Sequence, residues 1–235
     1  MPGDLGEHLM RPRLSIVMPV LNEAAQLPTR LARLASLREH GVELIVADGG
    51  SDDDSVRIAH EAGAQVVVSK QGRARQMNAG ARAACGNVLL FLHADTDLPP
   101  DADRLILDGL ASRHRAWGRF DVEIIDGPGM LVVVAYMMNL RSRLSGIATG
   151  DQAIFVRREA FERLGGFPDQ PLMEDIELSR RLKRISRPLC LRERVTTSGR
   201  RWAARGTLAT IVLMWRLRFA YWRGASPERL AERYR

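Results

Sequence analysis

The sequence has little cysteine and no hydrophobic run long enough to cross a bilayer. Its two cysteines, Cys85 and Cys190, exclude a small scaffold stapled by disulfides and fit a reducing compartment. The longest uncharged runs, 127–140 and 206–215, fall short of the roughly 20 residues that a spanning helix requires. Residues 1–13 are charged and lack an apolar segment, so we expect no secretory signal and a cytoplasmic protein.

Internal repeats, heptads and low-complexity segments are also missing. The chain has 235 residues, of which 46% are hydrophobic, and this is enough to bury a substantial core. The length is typical of one large domain or two small ones. These properties exclude a wholly disordered chain.

The positive charge is concentrated at one end. The formal net charge is +7, and residues 199–235 contain nine arginines against two glutamates, which accounts for all of it. Such a segment can contact phosphates, anionic lipid or nucleic acid, or it can be a solvated helix face.

The same segment has the pattern of an amphipathic helix. Six apolar residues recur there at helical spacing: Leu208, Ile211, Val212, Trp215, Phe219 and Trp222. With arginines beside this stripe, residues 206–223 could make peripheral contact with a membrane. The alternatives are a helix packed on its own domain and a helix packed on a second copy in a homodimer.

Short apolar runs alternate with helical patterns in the first half. The predicted strands are 14–20, 43–47, 65–69 and 88–92, and the predicted helices between them are 24–40, 52–62 and 73–84. This order predicts βαβ units and an α/β fold with a mostly parallel sheet. Polar clusters at 22–23, 48–54 and 93–97 follow strands, so we expect them to share the edge where ligands bind.

The second half is less regular. The predicted elements are a strand at 117–125, a helix at 129–144, a strand at 153–156 and a helix at 174–185. We divide the chain into a tail (1–13), a single domain (14–202) with a nucleotide half (14–98) and an acceptor half (99–202), and a basic amphipathic C-terminus (203–235).

Two acids follow the fourth predicted strand. Asp95 and Asp97 lie two residues apart in the apolar context FLHADTDLPP. A hard cation such as Mg²⁺ or Mn²⁺ takes one or two carboxylates and completes its shell with phosphate oxygens and water. The alternative is a capped turn, because Asp and Thr favour turns.

A second acidic group begins the helix predicted at 174–185. Glu174, Asp175 and Glu177 lie in PLMEDIELSRRLK. A carboxylate held at a helix start and facing a cleft suits a general base, whereas the alternative is a helix cap.

Two basic motifs could contact a diphosphate. Arg200 and Arg201 precede Trp202, and fixed arginines stabilise a departing nucleoside diphosphate. In GRARQMNAG, Arg75 and Asn78 lie about one helical turn apart and could reach one ligand. The alternatives are general basic surface and ordinary helix surface.

The order of these motifs resembles that of a known family. PVLNEAAQL, VADGGSDDDSV, GRARQMNAGA, FLHADTDLPP, GDQAIFVRREAFERLGGFP, MEDIELSRRL and SGRRW together resemble the family 2 inverting glycosyltransferases with the GT-A (Rossmann-like) fold. The resemblance covers roughly 14–202. The HADT, GDQAIF and PLMED segments are similar to a bacterial subgroup linked to arsenosugar biosynthesis.

The resemblance implies a role for each matching residue. Those implied to bind the nucleotide sugar are Pro19, Asn22, Glu23, Asp48, Ser51, Asp53, Arg75, Asn78, Ala94, Asp95, Arg200 and Arg201. Within that set, Asp48 matches the acid that hydrogen-bonds the edge of the nucleotide base, which is usually uracil. Asp175 matches the catalytic base with Glu174 beside it, and Asp151, Gln152 and Trp202 match the acceptor side.

This sequence departs from the family pattern at two motifs. Aligning the usual D-x-D motif on the preceding FL places His93 at the first Asp and Asp95 at the second, whereas reading Asp95-x-Asp97 shifts the register by two. We therefore take Asp95 as the metal ligand and either His93 or Asp97 as the second. In SGRRW, Ser198 replaces the Gln of the QxxRW motif of processive members, so we do not expect polymer synthesis.

The resulting hypothesis is an inverting transfer of sugar from a nucleotide-sugar donor to an acceptor hydroxyl with Mn²⁺ or Mg²⁺, and we expect the donor to be UDP-linked. One alternative is a membrane-associated transferase acting on a polyprenyl phosphate or lipid. Others are a nucleotide-sugar-binding protein without catalysis, and a nucleic-acid-binding protein. We expect no nucleic acid, because the strand-end acids repel phosphate in the absence of a metal.

Overall fold

The structure, a computed structural model, describes residues 13–199 and 206–234. The strands are β1 (Leu14–Val20), β2 (Glu43–Asp48), β3 (Gln65–Val68), β4 (Val88–Phe91), β5 (Thr96–Asp97), β6 (Trp117–Ile125), β7 (Phe155–Arg157) and β8 (Leu189–Ser198). The helices are α1 (Leu27–Arg33), α2 (Ala35–Glu39), α3 (Ser55–Glu61), α4 (Arg73–Ala83), α5 (Ala102–Ser112), α6 (Met130–Ser145), α7 (Arg158–Arg163), α8 (Glu174–Leu182), α9 (Thr207–Trp222) and α10 (Pro227–Tyr234).

All the described strands belong to one sheet in the order β3-β2-β1-β4-β7-β6-β8-β5. Parallel pairing joins β3, β2, β1 and β4, and also β6 with β8. β7 runs antiparallel to both β4 and β6, and β5 runs antiparallel to β8. The predicted α/β fold with a mostly parallel sheet flanked by helices is confirmed, and β7 connects its two parallel parts.

Helices cover both faces of this sheet. Along β1, Ile16 and Met18 pack with α1, α5 and α6 on one face, whereas Val17 packs with α4, α7 and α8 on the other. Successive side chains of a strand point to opposite faces, so a strand covered twice must be apolar throughout. The apolar sequence of β1 follows from this double coverage, and its one polar residue, the buried Ser15, donates a hydrogen bond to Glu43.

The richness of α4 in alanine and glycine also has a packing cause. A Cβ placed on Gly80 would lie 2.4 Å from Cγ1 of Val17. Only a glycine allows α4 to approach the sheet this closely, because any side chain here would overlap β1. The close approach brings the N-terminal end of α4 to the carboxyl edge of β1 and β2.

Some predicted boundaries differ from the structure. The helix predicted at 24–40 is divided at Leu34 into α1 and α2. The strand predicted at 153–156 begins at Phe155, because Ala153 has a left-handed backbone (φ 47°). The SGRRW motif ends in residues 200–202, which lie outside the described residues.

The C-terminal helices pack through a face other than the predicted stripe. Leu217 of α9 and Leu230 of α10 form a small buried cluster with Met173. Five of the six predicted stripe residues are instead exposed on the opposite side: Leu208, Val212, Trp215, Phe219 and Trp222. The segment therefore packs on its own domain and still presents an apolar face to solvent. Within the described ranges, no helix has the length and hydropathy of a membrane span.

Candidate active site

A central cavity of about 490 Å³ lies beyond the carboxyl edge of the sheet. Its charged and titratable lining includes Arg73, His93, Asp95, Asp151, Glu174 and Asp175. These residues come from α4, the segment after β4, the 3-10 turn Gly150–Gln152 and the start of α8. The structure thus brings four of the predicted acids and His93 to one site.

Asp175 is held rigidly at the start of α8. Its Oδ2 accepts a hydrogen bond of 2.8 Å from the backbone N–H of Gly150, and its Oδ1 accepts one of 2.7 Å from that of Ile176. Burial and the neighbouring charge of Glu174 raise the pKa of Asp175 from 3.8 to about 6, although these two N–H donors and Arg73 favour the charged form. A carboxyl group with a pKa near neutrality is suited to accept a proton during catalysis.

Glu174 has a different environment from Asp175. It is buried, and its Oε1 lies 3.5 Å from Nη1 of Arg73. Sequence reasoning selected Arg75 and Asn78 from α4 and missed Arg73. Only the helical phase, set by buried Ala74 and Met77, shows which side chain reaches the cavity.

Neither Arg75 nor Asn78 lines the central cavity. Arg75 is exposed, and its Nε donates a hydrogen bond of 2.7 Å to Oδ1 of Asp169. The side chain of Asn78 bonds the carbonyl and the N–H of Phe167 at 2.8 and 2.9 Å, and so fixes the loop before α8. In this structure both residues bind other parts of the chain.

His93 and Asp95 lie at the cavity end of the segment after β4. His93 Nδ1 is 3.5 Å from Asp151 Oδ1, and Asp95 Oδ1 is 3.3 Å from Thr96 Oγ1. Ala94 between them is buried. Asp97 does not reach the cavity, because its carboxylate pairs with Arg30 and Arg33.

His93 and Asp95 fit a divalent cation whose remaining coordination positions are filled by the phosphate oxygens of a bound molecule. Carboxylate oxygens and imidazole together suit Mn²⁺ better than Mg²⁺. Among the described side chains, no three acidic, histidine or cysteine groups converge to form a complete metal site. A cation bound by one or two protein groups and by phosphate oxygens needs no such cluster.

The loops after β1 and β2 are joined by hydrogen bonds. Asp48 is buried; its Oδ1 accepts from the Ser51 hydroxyl at 2.6 Å and its Oδ2 from the Gly50 N–H at 2.8 Å. Ser51 Oγ in turn accepts from the N–H of Asn22 at 2.9 Å. The two predicted nucleotide segments therefore form one structural unit.

Asp53 and Ser55 extend this connection. Asp53 Oδ2 accepts from the N–H of Ala24 at 3.0 Å, and Ser55 Oγ accepts from that of Glu23 at 2.9 Å. The hydrogen bonds to Ser55 and Ala24 lower the pKa of Asp53. Asp53 therefore remains charged and keeps the two loops together.

The strand register places these loops beside the central cavity. Asp48 pairs with Val20, which follows the half-buried Pro19, and Ala94 lies three residues beyond the pairing of Val17 with Phe91. β2 therefore ends level with Val20 and β4 level with Val17, and the segment after β4 continues toward the edge where Asp48 lies, about 10 Å away across β1. A ligand lying along the edge can contact both.

Gln152 stabilises the turn that carries Asp151. It is fully buried; its Oε1 accepts from the N–H of Thr149 at 3.2 Å, and its Nε2 lies 3.3 Å from Asn139 Oδ1. Asp151 faces the cavity. The predicted donor-binding residues Arg200 and Arg201 and the predicted acceptor-side residue Trp202 lie outside the described residues.

The close contact between Gly150 and His93 leads to a prediction. A Cβ on Gly150 would lie 2.3 Å from Cε1 of His93. We expect Gly150→Ala to lower the free energy of unfolding in urea by about 1–3 kcal/mol, because the imidazole must move within a packed site. Gly129→Ala is the control, since nothing lies within 4 Å of its added Cβ and its effect should stay within about 0.5 kcal/mol. Equal unfolding midpoints for both variants would contradict the prediction.

The structure is thus an α/β domain with acidic groups gathered beyond the carboxyl ends of its strands. The model of a family described as "Glycosyl transferase family 2" matches residues 15–165, more than half of the chain. The protein belongs to this family.

Curated relatives carry similar names. A PGL/p-HBAD biosynthesis glycosyltransferase of Mycobacterium bovis is 38% identical over 94 residues, 37% of each chain. An undecaprenyl-phosphate 4-deoxy-4-formamido-L-arabinose transferase of Pectobacterium carotovorum is 34% identical over 99 residues, 37% of this chain and 30% of that protein. The matches thus span only about a third of the length of these relatives.

Solved structures share the GT-A fold. TarS 1–349 of S. aureus in complex with UDP superposes with a TM-score of 0.66 and 18% identity, over 79% of this chain and 60% of that chain. The mannosyltransferase PcManGT of Pyrobaculum calidifontis, in complex with GDP-Man and Mn²⁺, gives a TM-score of 0.62 and 20% identity, over 96% and 70%.

Proposed function

We propose that the protein transfers a sugar from a nucleotide-sugar donor to an acceptor hydroxyl with inversion, in a single displacement. The observation that carries this proposal is the position of Asp175. Its carboxylate is fixed by two backbone N–H groups, has a raised pKa, and shares a cavity with Asp95 and His93. One general base acting on one face of the sugar is what a single displacement requires.

In this mechanism Asp175 accepts the proton of the acceptor hydroxyl as its oxygen attacks the anomeric carbon. A new carbon–oxygen bond forms while the bond from the anomeric carbon to the diphosphate breaks, and the electron pair leaves with the nucleoside diphosphate. Attack from the face opposite the diphosphate inverts the configuration. Glu174 keeps the proton affinity of Asp175 high, and Asp151 lies where an acceptor would enter.

The donor would lie along the carboxyl edge, with its base near the unit formed by Asn22, Asp48 and Ser51. We favour a UDP-linked sugar because the family resemblance assigns Asp48 to uracil, and TarS binds UDP. PcManGT binds GDP-Man with Mn²⁺, so the test must include both uridine and guanosine nucleotide sugars. Pro19, Glu23 and Asp53 support the same loops.

Asp95, with His93, would hold a divalent cation beside the diphosphate. When bound, the cation supplies positive charge to the leaving group. Arg73 lines the same cavity and would add positive charge there. The predicted contributions of Arg200 and Arg201 remain part of the proposal, as does the narrower resemblance to the arsenosugar subgroup.

A thermal-shift panel tests the donor. UDP- and GDP-sugars are added with Mn²⁺, and a ligand that binds only the folded state raises the unfolding midpoint. We expect one UDP-sugar to give the largest shift and to release UDP when an acceptor is supplied. A protein that no nucleotide sugar stabilises, with or without Mn²⁺, would contradict the proposal.

The charge of Glu174 should be visible in the pH dependence. Because the base must be deprotonated, kcat/KM should fall as the pH drops through about 6, the raised pKa of Asp175. Glu174→Gln removes a negative charge that raises this pKa, so the acid limb of the profile should move to lower pH. Glu177→Gln, on the same helix, is the control and should leave the limb in place. If the acid limb of the pH profile does not move in Glu174→Gln, the charge of Glu174 does not raise the pKa of the catalytic base.

A second candidate is a membrane-associated transferase acting on a polyprenyl phosphate or lipid. The exposed apolar face of α9 favours it, because Trp215 and Trp222 are 68% and 80% exposed and large exposed apolar patches mark interaction sites. The Pectobacterium relative is named for an undecaprenyl-phosphate acceptor. Flotation with vesicles containing phosphatidylglycerol is the test, and protein that stays entirely in the soluble fraction would exclude it.

A further inference from the structure

A second cavity adjoins the central cavity. This apolar groove, of about 630 Å³, lies between α6 and α9. Its apolar walls include Val133, Met137 and Met138 from α6, and Ile211, Met214 and Trp215 from α9. A groove of this composition fits a hydrocarbon chain better than a sugar.

The groove opens directly toward the candidate base. Asp151, Met214 and Arg218 line both the groove and the central cavity that contains Asp175. A ligand whose chain occupies the groove can therefore place its head group beside Asp175. This continuity points to an acceptor, because the donor loops after β1 and β2 contribute nothing to the described lining of the groove.

Two arginines at this junction have unused hydrogen-bond donors. Nε and Nη2 of Arg141, and Nε of Arg218, are buried without a partner among the described residues. Burial and the nearby charge of Arg119 lower the pKa of Arg141, although Asp175 and Asp151 oppose the shift. Buried donors of this kind normally have a partner, and arginine binds phosphate oxygens with charge-assisted bonds.

We propose that the groove between α6 and α9 binds the hydrocarbon chain of a lipid phosphate monoester, whose phosphate accepts hydrogen bonds from Arg141 and Arg218 beside Asp175. The inference rests on the second candidate function, glycosyl transfer to a lipid-linked acceptor, and specifies the site and chemical class of that acceptor. A phosphate oxygen then replaces the hydroxyl oxygen as nucleophile. Its bond to the anomeric carbon forms as the bond to the donor diphosphate breaks, and any proton on that oxygen passes to Asp175.

The chain offers matched variants for the groove wall. Val133 lines the groove and Val132 does not, yet both are exposed on α6, by 60% and 69%. Because both positions face solvent, an aspartate at either should leave the fold intact. Val133→Asp places a charge in the path of the hydrocarbon, whereas Val132→Asp is the control.

The arginines offer a second matched pair on α9. Arg218 lines the groove, whereas Arg216 is exposed and lies outside its lining. Arg218→Gln removes a charged donor from the phosphate, and Arg216→Gln removes the same charge from the helix surface. A purely long-range electrostatic effect would affect both variants alike.

The experiment is calorimetric titration with decyl phosphate below its micelle concentration, on the full chain without donor or metal. We expect Val133→Asp and Arg218→Gln each to weaken binding about tenfold or more, and their controls to stay within about twofold. Decanol and inorganic phosphate should each bind at least about tenfold more weakly than decyl phosphate. With donor and Mn²⁺ added, sugar should appear on decyl phosphate.

Several results would overturn the proposal. Inorganic phosphate binding as tightly as decyl phosphate would show that the chain is not held. Unchanged affinity in Val133→Asp and Arg218→Gln would place the ligand elsewhere. Decyl phosphate binding that falls as the protein dimerises would show that a second copy occupies the groove. A failure of the proposed glycosyl transfer would give a different result. In that case no nucleotide sugar would stabilise the protein, whereas decyl phosphate would still bind normally.

Discussion

Asp175→Asn is expected to lower kcat by about 10²–10⁴-fold while leaving donor affinity nearly unchanged. A positioned general base contributes about this much to a rate, and its proton transfer occurs only in the transition state. Asparagine has a similar shape and can still accept one of the two backbone hydrogen bonds that fix Asp175. The site should therefore keep its geometry and lose its base.

Release of UDP at saturating donor and acceptor measures the rate, and calorimetry with the donor measures the affinity. Asp108→Asn is the control, because Asp108 is exposed on α5, away from the cavity. If Asp175→Asn keeps the parent rate, another group is the base. If it loses donor affinity as well, Asp175 contributes to binding rather than to proton transfer.

Asp95→Asn is expected to abolish the increase in UDP affinity caused by Mn²⁺. The neutral amide is a much weaker ligand for a hard cation than a carboxylate. Calorimetric titration of UDP with and without Mn²⁺ gives the ratio of affinities. We expect this ratio to be about tenfold or more in the parent protein and close to one in the variant.

Asp97→Asn decides between the two registers of the acidic motif. Asp97 is engaged by Arg30 and Arg33 outside the cavity, so its variant should keep the Mn²⁺ effect and lose some stability instead. The alternative register would be supported if Asp97→Asn abolished the Mn²⁺ effect. Equal UDP affinity with and without Mn²⁺ in the parent protein would refute the metal role of both residues.

The first half of the fold could be predicted because its signals are local. β4 is apolar throughout, and β1 is apolar except at Ser15, because helices cover both faces. Asp48 ends β2, and Asp95 lies in the short segment after β4. The convergence of these strand ends follows from parallel pairing alone. The family model confirms the assignment that the order of the motifs predicted.

The features that could not be predicted from the sequence depend on contacts between distant segments. β8 was not predicted, because residues such as Arg192, Glu193 and Arg194 interrupt its apolar pattern where the strand is exposed. Arg73 and Arg75 differ by two positions in one helix, and only packing shows which of them faces Glu174. The stripe on α9 predicted a helix correctly, but the buried face proved to be the one containing Leu217.

The packing of α9 and α10 against Met173 has a consequence for the chemistry. Met214, Arg218 and Tyr234 from these helices close one wall of the cavity around Asp175, and so limit the access of bulk water to its carboxylate. Without this cover, hydration would return the proton affinity of the carboxylate toward that of a free aspartate. The same two helices thus set the local dielectric around Asp175 on one side and carry the exposed apolar surface on the other.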